Sequence, residues 1–282
     1  MNMNKLYNNI KLKQLYYNTK ITLVLFYSQG YPYDKGLDLE ESKNLTLKYA
    51  KDNINNISCY NISKLKEMNF FKYIKEYDNS GVVSANPCAE LTGFYAWKPL
   101  IILLELEKMN YNDILVYRDV NCIKYPQYQN YNNFKNNIIN LLKKCNFDFL
   151  ITRENDEYTI EQFCKTNVIR ELGEDNIFTY NFPLLIANLI IIKKTDISLI
   201  LLKEWLEACE NEKWIDGNIY GNMSNKFNWH TPEQSILSII IANWIRKKKY
   251  NIPLKYPNII LENREIDRIK IPNNFNYLEF LI

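Results

Sequence analysis

Residues 93–122 read GFYAWKPLIILLELEKMNYNDILVYRDVNC, and the rest of the chain is organised around this stretch. From Pro99 to Met109 the apolar residues recur at three- and four-residue steps, which is the spacing of a helix. Pro99 suits the first turn of that helix, where its missing N–H is no loss. Residues 114–117 (ILVY) form a short β-branched and aromatic run that is typical of a buried strand.

Polar side chains follow this strand directly. Asp119 and Asn121 stand two residues apart and therefore point to the same side of an extended chain. In an open α/β sheet, ligands bind at the carboxyl ends of the strands, and an acidic group next to a buried strand needs a polar or cationic partner. Asp and Asn are also common turn formers. The spacing alone leaves a ligand site and a plain turn both open.

Strands and helices alternate on both sides of this stretch. Apolar runs predict strands at residues 21–27, 57–60, 147–152, 184–193 (interrupted by Asn188) and 258–262. Helical patterns are found at residues 40–51, 62–77, 131–145, 159–172, 197–210 and 235–246. The alternation predicts a three-layer α/β fold with a mixed sheet. We see no repeat or linker, and expect one domain over residues 1–282, with 1–20 and 250–282 as peripheral extensions.

Composition and charge exclude several classes of protein. The 282 residues carry 35 Lys and Arg against 32 Asp and Glu, a balance that argues against a dedicated nucleic-acid binder. The one dense basic run, residues 246–249 (RKKK), is expected to be a solvated helix end or a contact to a membrane surface or anionic acceptor. No apolar run is long enough to span a bilayer. The six scattered cysteines and the polar N-terminus favour a reducing, cytoplasmic location.

A helix start is encoded at residues 230–235 (HTPEQS). Thr231 fits the N-cap and Pro232 the first helical position, with acidic Glu233 in the first turn. His230 is the only histidine of the chain and precedes a helix N-terminus, which is a natural anion site. A lone histidine is also often structural, so both interpretations stay open.

Four pieces of the chain, in order, resemble one family of enzymes. Trp97-Lys98-Pro99, followed by a helix and NDILVYRD, resembles the family pattern WKPyii…gDiliYlDaG. Residues 164–173, 187–206 and 229–237 (WHTPEQSIL) resemble later pieces, the last of them HRhDQSil. The family is that of GT-A-type glycosyltransferases of bacteria and large DNA viruses, giant viruses among them. For a viral protein, the cytoplasm of the host or the virion would be the location.

The resemblance implies a GT-A-like three-layer sandwich with a central mixed, mostly parallel sheet. It also implies transfer of a sugar from a nucleotide-sugar donor, most simply a UDP-sugar, to a glycan or protein acceptor. Such enzymes hold Mn²⁺ or Mg²⁺ on an Asp-x-Asp motif, and the cation stabilises the charge that grows on the leaving diphosphate. Asp119 keeps the first position of the motif, but Asn121 takes the second and adds no charge. Metal use is therefore an open question, and Arg118 is a candidate to meet a phosphate instead.

The resemblance also suggests roles for the remaining residues. The expected metal ligands are Asp119, Asn121 and His230, and the expected catalytic residues are Asp119, Glu233 and Asn188. The expected contacts to the donor are Tyr27, Ser28, Trp97, Lys98, Arg118, His230 and Gln234.

Some of these residues have a plainer alternative. Trp97 is equally a core residue, and Lys98 is either a phosphate contact or a solvated charge. Glu233 either deprotonates the acceptor hydroxyl as a general base or is only a favourable charge in the first turn of a helix. Asp216, in an aromatic loop, is a weaker candidate for the base.

We therefore expect a hexosyltransferase of glycan biosynthesis that uses a nucleotide sugar. The alternative is a catalytically impaired relative that only binds a nucleotide sugar or a glycan. Asn121, and a Glu where the family pattern has Asp, motivate that alternative.

Overall fold

The computed structural model describes residues 18–27, 39–51, 54–68, 93–119, 147–153, 157–249 and 269–270. The elements, in chain order, are β1 (Ile21–Phe26), α1 (Leu39–Ala50), β2 (Asn56–Tyr60), α2 (Ile62–Glu67), α3 (Trp97–Lys108), β3 (Ile114–Asp119), β4 (Phe149–Arg153), α4 (Ile160–Phe163), α5 (Thr166–Glu171), α6 (Ile177–Tyr180), β5 (Leu185–Lys193), α7 (Asp196–Cys209), α8 (Glu212–Ile215), α9 (Pro232–Lys249) and β6 (Ile269–Lys270). Ser28, Asn121 and the elements predicted at 131–145 and 258–262 lie outside the described residues.

The strands form one sheet in the order β2-β1-β3-β5-β4-β6. β1 pairs in parallel with β2 and β3, and β4 pairs in parallel with β6. β5 runs antiparallel to both of its neighbours, β3 and β4. The predicted α/β architecture with a mixed, mostly parallel sheet is confirmed.

Both faces of the sheet are covered by apolar contacts. Val24 and Tyr117 point to the face that packs on α3, α7 and α9, whereas Leu23 and Val116 point to the face that packs on Ala50 of α1. Strands buried on both faces carry continuous apolar runs rather than alternating ones, which is why residues 21–26 could be identified from the sequence. This arrangement is consistent with the predicted three layers.

The prediction of one continuous helix at residues 159–172 is wrong, because the segment is divided into α4 and α5. The backbone at Cys164 is extended, with φ −134° and ψ 141°, so the helix cannot continue through it. Thr159 caps α4, and the side chain of Gln162 bonds back to the Thr159 N–H at 2.8 Å. The break directs Lys165 into the protein, where its side chain is buried.

The basic run at residues 246–249 belongs to the last turns of α9. Arg246 is buried and, with Lys247, pairs with the carboxylate of Glu174. The expectation of a wholly solvated helix end is therefore wrong for Arg246. None of the helices in the described part of the chain has the length and apolar character that a membrane crossing requires.

Candidate functional site

The carboxyl ends of β1, β2 and β3 meet at one edge of the sheet, and the first turns of α3 and α9 reach the same edge. There Lys98 of α3 contacts both Asp119 of β3 and Glu233 of α9. Tyr117 of β3 completes this group. We call these four residues the edge site. The edge is the one at which ligands bind in open α/β sheets.

Lys98 is at the centre of the edge site, and its side chain is only 4% exposed. Its Nζ donates to Glu233 Oε1 at 2.8 Å and to the carbonyl of Ala187 at 3.0 Å, and it lies 3.7 Å from Asp119 Oδ1. A buried ammonium is tolerated only when it is paired and hydrogen-bonded in this way. Lys98 is therefore not the solvated charge that one alternative predicted.

Asp119 is the member of the edge site that reaches solvent. Its side chain is 41% exposed, whereas that of Glu233 is 5% exposed. Tyr117 donates its hydroxyl to Asp119 Oδ1 at 2.5 Å, on the same oxygen that faces Lys98. The carboxylate is thus fixed on one side and open to a ligand on the other.

The charges of the edge site do not cancel, because two carboxylates share one ammonium. Burial alone would lower the pKa of Lys98, but Asp119 and Glu233 raise it above its usual value. Burial raises the pKa of the Glu233 carboxyl and the charge of Asp119 adds to this, while Lys98 partly offsets both. An added cation, or a proton on Glu233, would balance the site.

An irregularity in β5 creates two of the contacts around Lys98. Ile190 pairs with Ile151 of β4 but Ile186 pairs with the next residue, Thr152, so residues 187–189 have no partner in β4, although Leu189 still pairs with Arg118 of β3. The carbonyl of Ala187 accepts from Lys98, and its N–H donates to the Gln234 side chain at 3.4 Å. Bulges of this kind redirect groups near functional sites. Gln234 therefore binds the backbone of β5.

Asn188 lies within residues 187–189 and is half-buried. The antiparallel register of β3 and β5 ends at the pair Arg118–Leu189. One step further, that register brings Asp119 and Asn188 to facing positions on adjacent strands. The structure thus brings Asn188 to the same edge as the other predicted catalytic residues.

Tyr27 follows β1 at the same edge and is half-buried. Its hydroxyl accepts from Asn61 Nδ2 at 3.2 Å, and Lys43 Nζ lies 4.2 Å from the centre of its ring. Asn61 comes directly after β2, so aromatic and amide groups gather at the carboxyl ends of β1 and β2. The Tyr27 ring packs in the cluster on the face of Val116, and Lys43 is paired with Glu40. The sequence predicted Tyr27 for this region but not Lys43 or Asn61.

Trp97 is buried beneath the edge site rather than open to a ligand. It is 2% exposed and stacks on Phe26, with ring centroids 3.5 Å apart. Trp97 is therefore the core residue that one of the two interpretations predicted. Phe94 and Tyr95 just before it have positive φ values of 53° and 60°, a strained conformation for bulky residues. This turn brings the Tyr95 ring to 5.4 Å from Lys98 Nζ.

Arg118 points away from the edge site. Side chains alternate along a strand, and Tyr117 packs in the cluster under α3 whereas Val116 packs in the cluster on the other face. Arg118 shares the face of Val116 and is 8% exposed. The structure does not bring it together with Asp119.

His230 lies in a different group, built around Lys165. The imidazole is 1% exposed, and its Nε2 is 2.9 Å from the carbonyl of Trp214, so this nitrogen carries the proton. Burial, together with the charge of Lys165, lowers the pKa of His230 to about 3. The ring is neutral at ordinary pH and is not brought to Asp119, with which it was predicted to share a metal.

Lys165 anchors the loop that precedes His230. Its Nζ donates to Asp216 Oδ1 at 2.6 Å and to the carbonyls of Lys213 and Asp216 at 2.8 Å. Asp216 also accepts from Tyr220 and Asn218. Burial would raise the pKa of Asp216, but the hydrogen bond from Lys165 and its other donors lower it. Asp216 is thus a paired carboxylate and not an accessible base.

Metal binding at the edge site would rest on few protein ligands. Among the described residues, no group of three or more His, Cys, Asp or Glu side chains is arranged to hold a metal ion. Mg²⁺, however, is commonly held by one or two carboxylates together with substrate phosphates and water. The partly exposed Asp119, in a site with excess negative charge, fits that mode. The use of a metal at the edge site stays a prediction.

Sequence reasoning missed the pairings of the two buried lysines. Lys98 stands in otherwise apolar surroundings along the chain, whereas Lys165 is followed by Thr166 and Asn167. A buried lysine requires a carboxylate partner. The partners Glu233 and Asp216 are far away in sequence, so only the presence of a pairing could have been predicted.

Comparisons of the chain with known protein families, with curated proteins and with solved structures find no match.

Proposed function

We propose that the protein is a glycosyltransferase of GT-A type that transfers a sugar from a nucleotide-sugar donor, with a UDP-sugar as the first candidate, to a glycan or protein acceptor. The observation that carries the proposal is Asp119. Its carboxylate is partly exposed at the carboxyl end of a central parallel strand and is oriented by Tyr117 and Lys98. Support also comes from the sequence pattern of residues 97–119, because Lys98 and Asp119 of that pattern contact each other in the structure.

The region beside Asp119 suits a nucleotide. Tyr27 offers a half-buried aromatic ring with the amide of Asn61 next to it, and Lys43, which pairs with Glu40, lies over that ring. A nucleotide base can stack on an aromatic ring. A donor bound along this edge would have its base near β1 and β2 and its diphosphate near Asp119.

Asp119 would hold Mn²⁺ or Mg²⁺ together with the diphosphate. When bound, the cation supplies positive charge that stabilises the leaving nucleotide diphosphate. Tyr117 and Lys98 orient the Asp119 carboxylate, because each contacts its Oδ1. Glu233 keeps Lys98 charged within a buried site. Its role as a general base stays a prediction, since its carboxylate is engaged by Lys98.

A binding protein without transferase activity is the second candidate. The observation that favours it is the charge pairing inside the edge site, since Lys98 engages both Glu233 and Asp119 at rest. A site that already supplies its own cation has less need for a metal ion.

A screen of donors separates these candidates. Thermal stability would be measured with UDP-, GDP- and dTDP-sugars, each with Mn²⁺, with Mg²⁺ and with EDTA, and release of the free nucleotide would be followed. The enzyme is expected to be stabilised by one donor and to release its nucleotide slowly by hydrolysis. Stabilisation without release would support the binding protein. No stabilisation by any donor would reject both candidates.

The matched variants are Asp119→Asn and Asp196→Asn. Asp196 begins α7 just after the antiparallel strand β5, so it lies at the opposite edge of the sheet, and it is exposed. Asp119→Asn should abolish both donor stabilisation and nucleotide release, and Asp196→Asn should leave both unchanged. Equal donor stabilisation of both variants would contradict the role given to Asp119.

A further inference from the structure

The loop before α9 exposes an aromatic ring that the edge site does not use. Trp229 is 46% exposed, although tryptophan has one of the largest apolar side chains. Its ring packs edge-on against Phe163, with centroids 4.7 Å apart, and Phe163 packs on Tyr158 at 4.8 Å. We call these three residues the Trp229 platform. A large aromatic side chain that keeps nearly half of its surface in water is a candidate contact for a ligand.

The backbone on both sides of Trp229 is fixed. The N–H of Asn228 donates to the carbonyl of Gln162 at 2.8 Å, and the N–H of Thr231 donates to the carbonyl of Phe163 at 3.0 Å. These bonds tie the loop to α4 on either side of the exposed ring. A ligand that stacks on the indole therefore needs little ordering of the protein, which favours binding.

The platform lies at the same edge of the sheet as Asp119. Tyr158 accepts a backbone hydrogen bond from Leu184 at 2.9 Å, beyond the carboxyl end of β4 and before β5 begins. Across the edge, β3 with Asp119 is separated from β4 by β5 alone. The carboxyl ends of β3 and β4 are thus two strand spacings apart, about 10 Å, and the platform lies beyond the end of β4. Tyr27 and Asn61 lie on the other side of Asp119.

The surroundings of the platform favour an uncharged ligand. Glu161 accepts from Lys226 Nζ at 2.8 Å and from Ser224 Oγ at 2.7 Å, so the neighbouring charges pair with each other. A phosphorylated or acidic ligand would find no open cation in this pair. One exposed ring is also far smaller than a stable protein interface, which takes about 800 Å² from each partner.

We propose that the Trp229 platform binds a neutral sugar ring of the acceptor. A pyranose has an apolar C–H face that can cover the indole and hydroxyls that can reach the polar groups around it. The inference rests on the proposed function, because that function makes the bound sugar the acceptor. Donor and acceptor then approach Asp119 from opposite sides, with the nucleotide on β1 and β2 and the sugar on the platform beside β4.

The test is binding of simple sugars without any donor. Saturation-transfer NMR would be recorded with the methyl α- and β-glycosides of glucose, galactose, mannose and N-acetylglucosamine. The samples are the wild type, Trp229→Ala, Trp229→Phe and the control Tyr111→Ala. Tyr111 is an exposed aromatic residue, 57% exposed, that precedes the amino end of β3 and so lies at the opposite edge.

At least one glycoside should bind the wild type and Tyr111→Ala through its ring C–H protons. Trp229→Ala should weaken that binding by about tenfold, in line with the loss of one aromatic contact, and Trp229→Phe should retain most of it. Absence of binding to the wild type, or equal binding to Trp229→Ala, would overturn the inference. Circular dichroism of each variant distinguishes loss of the ring from loss of the fold.

UDP binding, measured on the same samples, separates this inference from the proposed function. Trp229→Ala should bind UDP with Mn²⁺ as the wild type does. If UDP binds, and if the glycosides bind equally well to the wild type and to Trp229→Ala, then the proposal for the Trp229 platform is overturned and the proposed function is not. Failure of every nucleotide to bind would overturn the proposed function, and the glycoside titration would still decide whether the platform binds sugars.

Discussion

Lys98→Met should destabilise the protein more than any other single change in the edge site. The substitution keeps the length of the side chain but removes an ammonium that contacts Glu233, Asp119 and the carbonyl of Ala187. Glu233, with a side chain that is 5% exposed, is then left as a buried carboxylate without its cation. Removing one partner of a buried ion pair lowers the free energy of unfolding by about 3–5 kcal/mol.

Glu233→Gln should be milder. Lys98 keeps its contacts with Asp119 and Ala187, and the amide oxygen of Gln can still accept a hydrogen bond from Nζ. We expect a loss of about 1.5–3 kcal/mol, which is the range for a hydrogen bond to a charged group. The double variant, with no buried ion pair, should be less destabilised than the sum of the single variants by about 1–3 kcal/mol.

Urea denaturation gives these free energies if all variants share one slope of stability against urea concentration. The pH dependence adds a second test. The pKa of Glu233 is raised above the ordinary value of 4.5, and loss of Lys98 raises it further. A carboxyl with a raised folded-state pKa contributes stability at low pH that is lost as the pH rises through that pKa. Lys98→Met should therefore be more destabilising at pH 8 than at pH 5.

Three outcomes would refute this reasoning. The first is a Lys98→Met variant whose stability matches that of the wild type within about 0.5 kcal/mol, the scatter of surface substitutions. The second is a double variant whose loss equals the sum of the two single losses. The third is a loss of stability that is equal at both pH values. Any of these would mean that Glu233 does not depend on Lys98 for its charge.

Three further predictions concern residues around the edge site. Trp97→Ala should lower the free energy of unfolding by about 3–5 kcal/mol, as expected for a buried core residue, in urea denaturation. Lys165→Met should speed trypsin cleavage within residues 217–229, because Lys165 anchors that loop through Asp216. His230→Gln should reduce the loss of stability between pH 6.5 and 5. In that range the unfolded histidine binds a proton and the folded one, with a pKa of about 3, does not.

Each of these predictions has an opposing result. A Trp97→Ala variant that keeps wild-type stability but loses nucleotide binding would make Trp97 a ligand contact and not a core residue. Equal cleavage rates for the wild type and Lys165→Met would show that Asp216 does not anchor the loop. The wild type should lose up to about 1.4 kcal/mol per pH unit more than His230→Gln. Parallel slopes for the two proteins would mean that His230 can be protonated in the fold.

Much of the fold could be predicted from the sequence because strands buried on both faces appear as unbroken apolar runs. Strands were predicted from such runs at residues 21–27 and 114–117, and the structure has strands at Ile21–Phe26 and Ile114–Asp119. The helix start at Pro232 could also be predicted from a local pattern, because proline and acidic residues mark the first turn of a helix. These are local patterns, and local patterns do not depend on which elements become neighbours.

The candidate site was predicted less completely, because it depends on contacts between distant parts of the chain. Asp119 could be identified from its position after β3, but its partner Lys98 was assigned either to phosphate or to solvent. The break at Cys164 was missed because the residues around it keep helical spacing, while the buried Lys165 requires an extended backbone there. Arg118 and Asp119 are adjacent in sequence yet lie on opposite faces of the sheet.

The most direct test of the central claim is a calorimetric titration of UDP into the protein in the presence of Mn²⁺, compared with Mg²⁺ and with EDTA. The proposed function predicts binding to the wild type and to Asp196→Asn with at least one of the two metals. It predicts loss of that binding in Asp119→Asn. Undiminished UDP binding to Asp119→Asn would contradict the claim that Asp119 holds a cation together with the diphosphate of a nucleotide sugar.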